Sequence, residues 1–95
     1  MTDAEVLSRR EMLAEEVAEY VGGSPQYWRA LGAQGKIPRN IGQSVNMGGR
    51  KNERTVFFAE RVWMFKHGYD LMPLSAKELH ELKAAAMKGE GHEEA

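Results

Sequence analysis

Two clusters of polar and basic side chains in this chain have the chemistry needed to contact a nucleic acid. The first cluster comprises Ser24, Gln26, Tyr27 and Arg29. The second is more strongly charged and comprises Asn46, Arg50, Lys51, Asn52 and Arg54. Arginine can donate two hydrogen bonds to guanine, and glutamine can pair with the edge of adenine. We therefore expect the first cluster to read bases, with Tyr27 on a phosphate or a thymine methyl group, and the second to contact the backbone or the minor groove.

The formal net charge of the chain is −1, but the charges are unevenly distributed. Residues 22–66 carry eight Lys or Arg against two Glu, a net charge of +6, whereas residues 1–21 carry −4 and residues 67–95 carry −3. Attraction between charges is screened beyond about 8–10 Å, so a polyanion responds to the local charge rather than to the sum. The basic segment favours a nucleic-acid partner, and we expect Lys36 and Arg39 within it to contact phosphates. The alternative is that basic residues simply collect in its loops.

Other kinds of chemistry find little support in the sequence. The chain has no cysteine, which excludes a thiolate nucleophile, a disulfide framework and a zinc site with sulfur ligands. His67, His80 and His92 lack the spacing of metal ligands, so we expect no metal and no cofactor. No paired carboxylates or activated nucleophile converge, and 95 residues are few for a deep pocket. We therefore expect no enzymatic activity.

The length and the apolar content fit one small domain. With 42% hydrophobic residues, the chain can form one modest core. No apolar run approaches the ~20 residues of a membrane span, and the start of the chain lacks the apolar region of a secretory signal. We expect a cytoplasmic, nucleoid-associated protein with no membrane partner.

The first cluster must be positioned by two short helices and a tight turn. The first helix, over residues 13–21, is indicated by four apolar residues at helical spacing, namely Leu13, Val17, Tyr20 and Val21. Gly22-Gly23 ends this helix, and Ser24-Pro25 supplies an N-cap and a first helical residue for the next one. Gly32 and Gly35 are predicted to end the second helix. This order predicts a helix-turn-helix, with the first cluster at the start of its second helix.

The second cluster must be positioned by a β-hairpin. Residues 41–45 and 55–58 have strand character, and Gly48-Gly49 gives a turn signal between them. A helix is predicted over residues 59–66, and a Ser75–Glu78 capping box precedes a last helix through Met87. The predicted organisation is an N-terminal arm over 1–11, a winged helix-turn-helix domain over 12–68, a C-terminal helix over 69–88 and a mobile acidic tail over 89–95.

The run MLAEEVAEYVGGSPQYWRALGAQGKIP, residues 12–38, resembles the DNA-binding region of the MerR superfamily. The matching positions are Glu16-Val17-Ala18, Gly22-x-Ser24-Pro25, Trp28-Arg29 and Gly35-x-Ile37-Pro38, with no gap. Arg54-Thr55-Val56-Phe57 resembles the family's second wing strand, and residues 62–65 resemble its following helix. The resemblance implies a mainly α fold with a small β-hairpin wing, a MerR-like winged helix-turn-helix. It also implies a sequence-specific protein that binds double-stranded DNA, with the second helix in the major groove.

The chain also departs from the family pattern. Gly23 stands where the family usually has a small apolar residue between the two helices, and the hairpin tip looks longer than the usual wing. We expect neither an effector-binding domain nor a long antiparallel coiled-coil helix, and metal or thiol sensing has no support without cysteine. What is left is similar to the small MerR-like proteins, which include phage excisionases, small developmental regulators and the DNA-binding part of phage small terminase subunits.

These features predict a small transcription regulator or an excisionase-like architectural factor that binds DNA in several copies. A domain of this size makes few base contacts, so we expect a dimer or a head-to-tail assembly on DNA, with Leu79 and Leu82 at the contact. A recombinase or another phage or regulatory protein is a further candidate partner. Two alternatives stay open, a small-terminase-type recognition subunit and a protein-interaction module on a winged-helix fold.

Several side chains have structural alternatives to a role in binding. Trp28 and Trp63 are better explained as core anchors than as platforms for base stacking. Phe57 and Phe58 alternate along a strand, so we expect one of them in the core. Arg29 has the alternative of a salt bridge to the glutamates of the first helix.

Overall fold

The computed structural model describes residues 1–46 and 53–92, and it is mainly helical with a small antiparallel sheet. The α-helices within these residues are α1 (Asp3–Leu7), α2 (Ala14–Val21), α3 (Pro25–Ala33), α4 (Ala59–His67) and α5 (Ala76–His92). The strands are β1 (Glu11–Met12), β2 (Gly42–Asn46) and β3 (Glu53–Phe58), in the spatial order β1-β3-β2. Short 3-10 turns, Pro38–Asn40 and Tyr69–Leu71, follow α3 and α4. This arrangement is compatible with a winged-helix-like fold.

The two consecutive helices predicted before and after Gly22-Gly23 are confirmed. Both glycines have positive φ, +122° and +93°, which glycine adopts at little cost. The Ser24 hydroxyl accepts a hydrogen bond from the Tyr27 backbone N–H at 3.1 Å, and Pro25 occupies the first helical position. The end of α2 and the start of α3 are therefore specified by residues adjacent to the turn.

Of the two glycines predicted to end α3, only Gly35 does so, because the helix continues through Gly32 to Ala33. It is Gly35, with a φ of +67°, that follows the last turn, and the Lys36 N–H donates to the Leu31 carbonyl at 2.8 Å. Gly32 itself is buried in the helix, where it faces Thr55 of β3. This glycine allows two elements to approach each other closely and does not end the helix.

The predicted hairpin is confirmed, but the sheet has one more strand than predicted. β2 and β3 pair antiparallel from Gly42 opposite Phe57 to Asn46 opposite Glu53. On the other side of β3, the two residues of β1 pair with Phe58 and Phe57. A strand of two residues is too short to show an alternating pattern, so no sequence signal predicts it. The predicted turn at Gly48-Gly49 lies outside the described residues.

The core is built around two tryptophans, as predicted. Trp28 is 4% exposed and Trp63 is 1% exposed. The Trp28 ring packs edge-on against Phe57 and Phe65, with centroid distances of 6.0 and 6.3 Å, and its Nε1 donates to the Gly22 carbonyl at 2.8 Å. Phe57 is fully buried and Phe58 is half-buried, which confirms that one of the two is in the core. Trp28 thus ties the turn before α3 to the sheet and to α4.

Residues 1–11, predicted as an arm, pack on the rest of the domain. Val6 of α1 is fully buried in the core, and β1 continues past the predicted boundary at residue 11. The Tyr20 hydroxyl donates to Asp3 at 2.6 Å, and His67 Nε2 lies 3.0 Å from the other Asp3 oxygen. One carboxylate of α1 therefore connects α2 with α4.

The capping box ahead of α5 is confirmed, and the helix is longer than predicted. The Ser75 N–H donates to Glu78 at 2.9 Å, and the Glu78 N–H donates to the Ser75 hydroxyl at 3.1 Å. Residues 89–92, predicted as the beginning of a mobile tail, continue the helix to His92. An interior glycine such as Gly89 costs a helix only about 1 kcal/mol, and no proline interrupts this one. Residues 93–95 lie outside the described residues.

The stability of the domain should fall at alkaline pH because of Tyr20. Burial, together with the hydrogen bond to Asp3 and its charge, raises the pKa of the Tyr20 phenol well above its ordinary value of 10.0. The native state therefore holds this proton more tightly than the unfolded chain, so stability is lost as the pH rises above about 10. In urea denaturation between pH 8 and pH 11, the Tyr20→Phe variant should lose less of its free energy of unfolding than the wild type. The same substitution at the exposed Tyr27 serves as the control, and an equal alkaline loss in both variants would contradict this explanation.

Candidate nucleic-acid interface

The start of α3 exposes the predicted base-reading side chains. Ser24, Gln26 and Arg29 are exposed, and Tyr27 is 54% exposed. Trp28 points the other way, into the core, and the Tyr27 ring packs edge-on against it at 5.2 Å. The buried tryptophan therefore fixes the rotation of α3, and this rotation keeps its neighbours in the sequence on the outer surface.

An open groove lies between α3, the first turn of α2 and the hairpin. Its lining comprises Leu13, Ala14, Glu15, Arg29, Ala33, Ser44, Arg54 and Thr55. Arg29 belongs to the first predicted cluster and Arg54 to the second, so the structure brings one member of each to the same groove. Arg54 is exposed on β3, opposite Val45 of β2.

The contact between Gly32 and Thr55 holds the helix and the hairpin together at this groove. A Cβ atom placed on Gly32 would lie 2.6 Å from Thr55 Cγ2 and 2.9 Å from Thr55 Cβ, and closer still to the hydroxyl oxygen. Because real Cβ atoms do not approach so closely, α3 can only reach β3 in this position with glycine at residue 32. The close approach of α3, which carries Arg29, to β3, which carries Arg54, therefore depends on glycine at residue 32.

Arg29 forms an ion pair with Glu15 of α2, which is the salt bridge given above as the alternative to a contact with DNA. Both side chains are well exposed, 50% for Arg29 and 57% for Glu15. Exposed ion pairs contribute only about 0–1 kcal/mol to stability, so this contact is easily exchanged for another partner. Glu15 was missed as a site residue, since its sequence signal is that of a favourable acidic residue in the first turn of a helix.

Leu13 was missed as well, although it is large, apolar and 53% exposed at the edge of the groove. It is the N-cap residue of α2, and it follows directly after β1. Its helical spacing with Val17 predicts a core residue, because helical periodicity assumes that the helix has already begun. The strand before it turns this side chain outward.

Lys36 and Arg39 differ in their surroundings. Lys36 is exposed after the end of α3. Arg39 has a left-handed backbone, with φ +50°, and its Nε lies 3.1 Å from an Asp70 carboxylate oxygen. Its guanidinium also lies 4.4 Å from the centre of the Phe65 ring, and the side chain is 32% exposed. Arg39 is thus engaged in contacts within the domain, and only the exposed third of its side chain is accessible to a phosphate.

The remaining predicted residues divide into two sets. Asn46 is the last residue of β2, whereas Arg50, Lys51 and Asn52 lie outside the described residues. Leu79 and Leu82 on α5 are half-buried and pack against the core. Part of each leucine side chain is therefore already covered within the chain, and self-association through them stays a prediction.

The described residues were also compared with the requirements of a metal site and of a membrane span. No group of three or more His, Asp or Glu side chains that could hold a metal ion is present in residues 1–46 and 53–92. Among the described helices, none is both long and apolar enough to cross a membrane.

Comparison of the chain with protein-family models, with curated proteins and with solved structures finds no match. The candidate interface therefore rests on the residues described above and their geometry.

Proposed function

We propose that this protein binds double-stranded DNA in a sequence-specific manner through a MerR-like winged helix-turn-helix. The observation that carries the proposal is the groove that brings exposed Arg29 of α3 and exposed Arg54 of β3 to one surface. The first turn of α3 enters the major groove, where Gln26 contacts adenine and Arg29 contacts guanine. The hairpin lies beside it on the minor groove or the phosphates.

The distribution of charge along the chain also supports the proposal. Residues 22–66 carry +6, whereas residues 1–21 and 67–95 together carry −7. A duplex is attracted to the basic segment, and within the groove the basic side chains Arg29 and Arg54 lie beside one acidic side chain of the first flank, Glu15. The protein acts as a small transcription regulator or as an excisionase-like architectural factor, and several copies supply the specificity that one domain lacks. A small-terminase-type recognition subunit would use the same surface.

Binding-site selection from random duplexes, followed by footprinting, tests the proposal. The expected result is a defined sequence with regularly spaced protected sites. Gln26→Ala should relax the selected sequence at one base pair, at a cost of about 1–3 kcal/mol for the correct base. Arg54→Ala should weaken binding to all duplexes to a similar extent, because a phosphate contact carries no sequence information. No enrichment of any sequence would overturn the proposal.

One observation favours a second candidate, a protein-interaction module on the same fold. Two of the predicted DNA-contacting arginines, Arg29 and Arg39, already pair with acidic side chains of the chain. Replacing the basic residues Arg50, Lys51 and Arg54 together by alanine separates the two functions. Loss of DNA affinity supports the first, whereas unchanged DNA affinity with loss of a protein partner supports the second.

Glu15→Gln should raise the affinity for duplex DNA by about two- to fivefold, because it removes a carboxylate from the groove and releases Arg29. The free energy of unfolding should change by less than about 1 kcal/mol, as expected for an exposed ion pair. Glu19→Gln on the same helix removes a charge outside the groove and is the matched control. Fluorescence anisotropy with a labelled duplex measures the DNA affinity of both variants. A fall in affinity in Glu15→Gln alone would instead show that Glu15 positions Arg29 for binding.

A further inference from the structure

A second surface lies between the connector after α4 and the first two turns of α5. This groove, called the α5 groove below, is lined by Tyr69, Met72, Leu74, Leu82, Glu78 and Glu81. Met72 is 50% exposed, and the adjacent Leu71 is 71% exposed. Large apolar side chains exposed together, next to a depression, are typical of a surface that another molecule covers.

The floor of the α5 groove is packed against the core. The Tyr69 ring lies 5.1 Å from the buried Trp63 ring and stacks on His67 at 5.4 Å. Leu82 packs against the same core. A ligand therefore meets a preformed apolar surface and need not order it, while the flexible Met72 at the edge can adapt to the ligand's shape.

The rim of the α5 groove is acidic, since both charged residues that line it are glutamates. Hydrogen bonds from the Ser75 backbone N–H and from its hydroxyl lower the pKa of Glu78, so this side chain is ionised at neutral pH. Glu81 is exposed and makes no ion pair with the described part of the chain. An apolar floor with a negative rim is complementary to an apolar stripe flanked by positive charges.

We propose that the α5 groove binds a basic amphipathic helix of another protein, with apolar side chains on Tyr69, Met72 and Leu74 and with Lys or Arg on the glutamates. Helices bind in grooves of this kind through apolar residues at i, i+3, i+4 and i+7. A second copy of this chain fits less well. In that copy, α4 carries Arg61 and Lys66 but turns Val62 and Trp63 into the core. Arg29, on α3, is paired with Glu15. The proposal does not depend on DNA binding.

The test uses the full chain and a synthetic peptide with Leu at i, i+3, i+4 and i+7 and Lys at the flanking positions. Amide NMR shifts on titration should map to residues 69–82, and a peptide with Glu in place of Lys should not bind. Met72→Glu and Glu81→Lys should each weaken binding about tenfold or more. Met87→Glu is the matched control, because Met87 is 44% exposed on α5 but does not line the groove. Circular dichroism melts verify that each variant folds.

Several results would overturn the proposal. Equal affinity for the Lys and Glu peptides would remove the role of the acidic rim. Binding unchanged in a folded Met72→Glu variant, or equally reduced in Met87→Glu, would place the peptide elsewhere. Self-association in analytical ultracentrifugation that disappears in Met72→Glu would assign the groove to a second copy instead.

Discussion

Replacing Trp28 by alanine should destabilise the domain by about 3–5 kcal/mol, the usual cost of truncating a buried tryptophan. Trp28 is 4% exposed, contacts the rings of Phe57 and Phe65, and donates its Nε1 proton to the Gly22 carbonyl. The truncation leaves a cavity between α3, β3 and α4, together with an unpaired carbonyl. Since small domains are stable by only about 5–15 kcal/mol, this loss removes a large share of the free energy of unfolding and should lower the urea midpoint strongly.

Trp28→Phe separates the hydrogen bond from the packing. It keeps an aromatic ring in the core but removes the donor to the Gly22 carbonyl, so about 1 kcal/mol of the cost should be attributable to that bond. Tyr27→Ala, at a 54% exposed neighbouring position, should change stability little. Urea denaturation followed by circular dichroism measures all three variants. A Trp28→Ala variant within about 1 kcal/mol of the wild type would contradict the central position assigned to this residue.

Gly32→Val should destabilise the domain by about 1–3 kcal/mol or more, and should also disturb the groove beside α3. The added Cβ atom alone would lie 2.9 Å from Thr55 Cβ, which is attached directly to the backbone of β3. A rotamer change of Thr55 cannot remove that overlap, so α3 or β3 must shift. We expect a lower midpoint in urea and, as Arg29 and Arg54 separate, weaker DNA binding.

Two further variants isolate the contact between Gly32 and Thr55. Ala30→Val places the same side chain at an exposed position of α3 that does not line the groove, and it should cost only the small helix propensity difference. Thr55→Ala removes the hydroxyl and the methyl group that lie closest to the added atom, so it should recover part of the stability that Gly32→Ala removes. Additive effects of Gly32→Ala and Thr55→Ala would show that the two residues do not interact.

The elements that the sequence predicts correctly are those specified by neighbours in the chain. Gly22-Gly23, Ser24 and Pro25 determine the turn before α3 through backbone preferences and one cap. Ser75 and Glu78 do the same for α5. The burial of Trp28 follows from size and helical spacing. These signals lie within a few residues of the structure that they determine, so a single sequence shows them.

Features that depend on distant partners are the ones missed. Gly32 looks like a helix terminator in the sequence, and only the position of Thr55, 23 residues later, shows why glycine is required. β1 has two residues and exists because β3 offers them a partner. Likewise, α1 is secured by Tyr20 and His67, and Arg29 is paired with Glu15, which is 14 residues away.

The same division holds for the candidate interface: what neighbouring residues determine could be predicted, and what distant partners determine could not. Exposure of Gln26, Tyr27 and Arg29 follows from their positions around Trp28 on one helix. The shared groove with Arg54 depends on how the hairpin packs, which no local pattern encodes. The intramolecular partner of Arg39, Asp70, is also distant in the chain, and it changes how much of that arginine a phosphate can contact.

A salt titration of binding to the selected duplex, run beside a scrambled duplex of equal length, tests the central claim most directly. We predict preferential binding to the selected duplex and a steep linear fall of log affinity with log salt concentration. We also predict that Arg54→Ala will reduce the slope by about 1 for each phosphate that the arginine neutralises. Weak binding at low salt, equal for the two duplexes and unchanged in Arg54→Ala, would contradict the assignment of this surface to DNA.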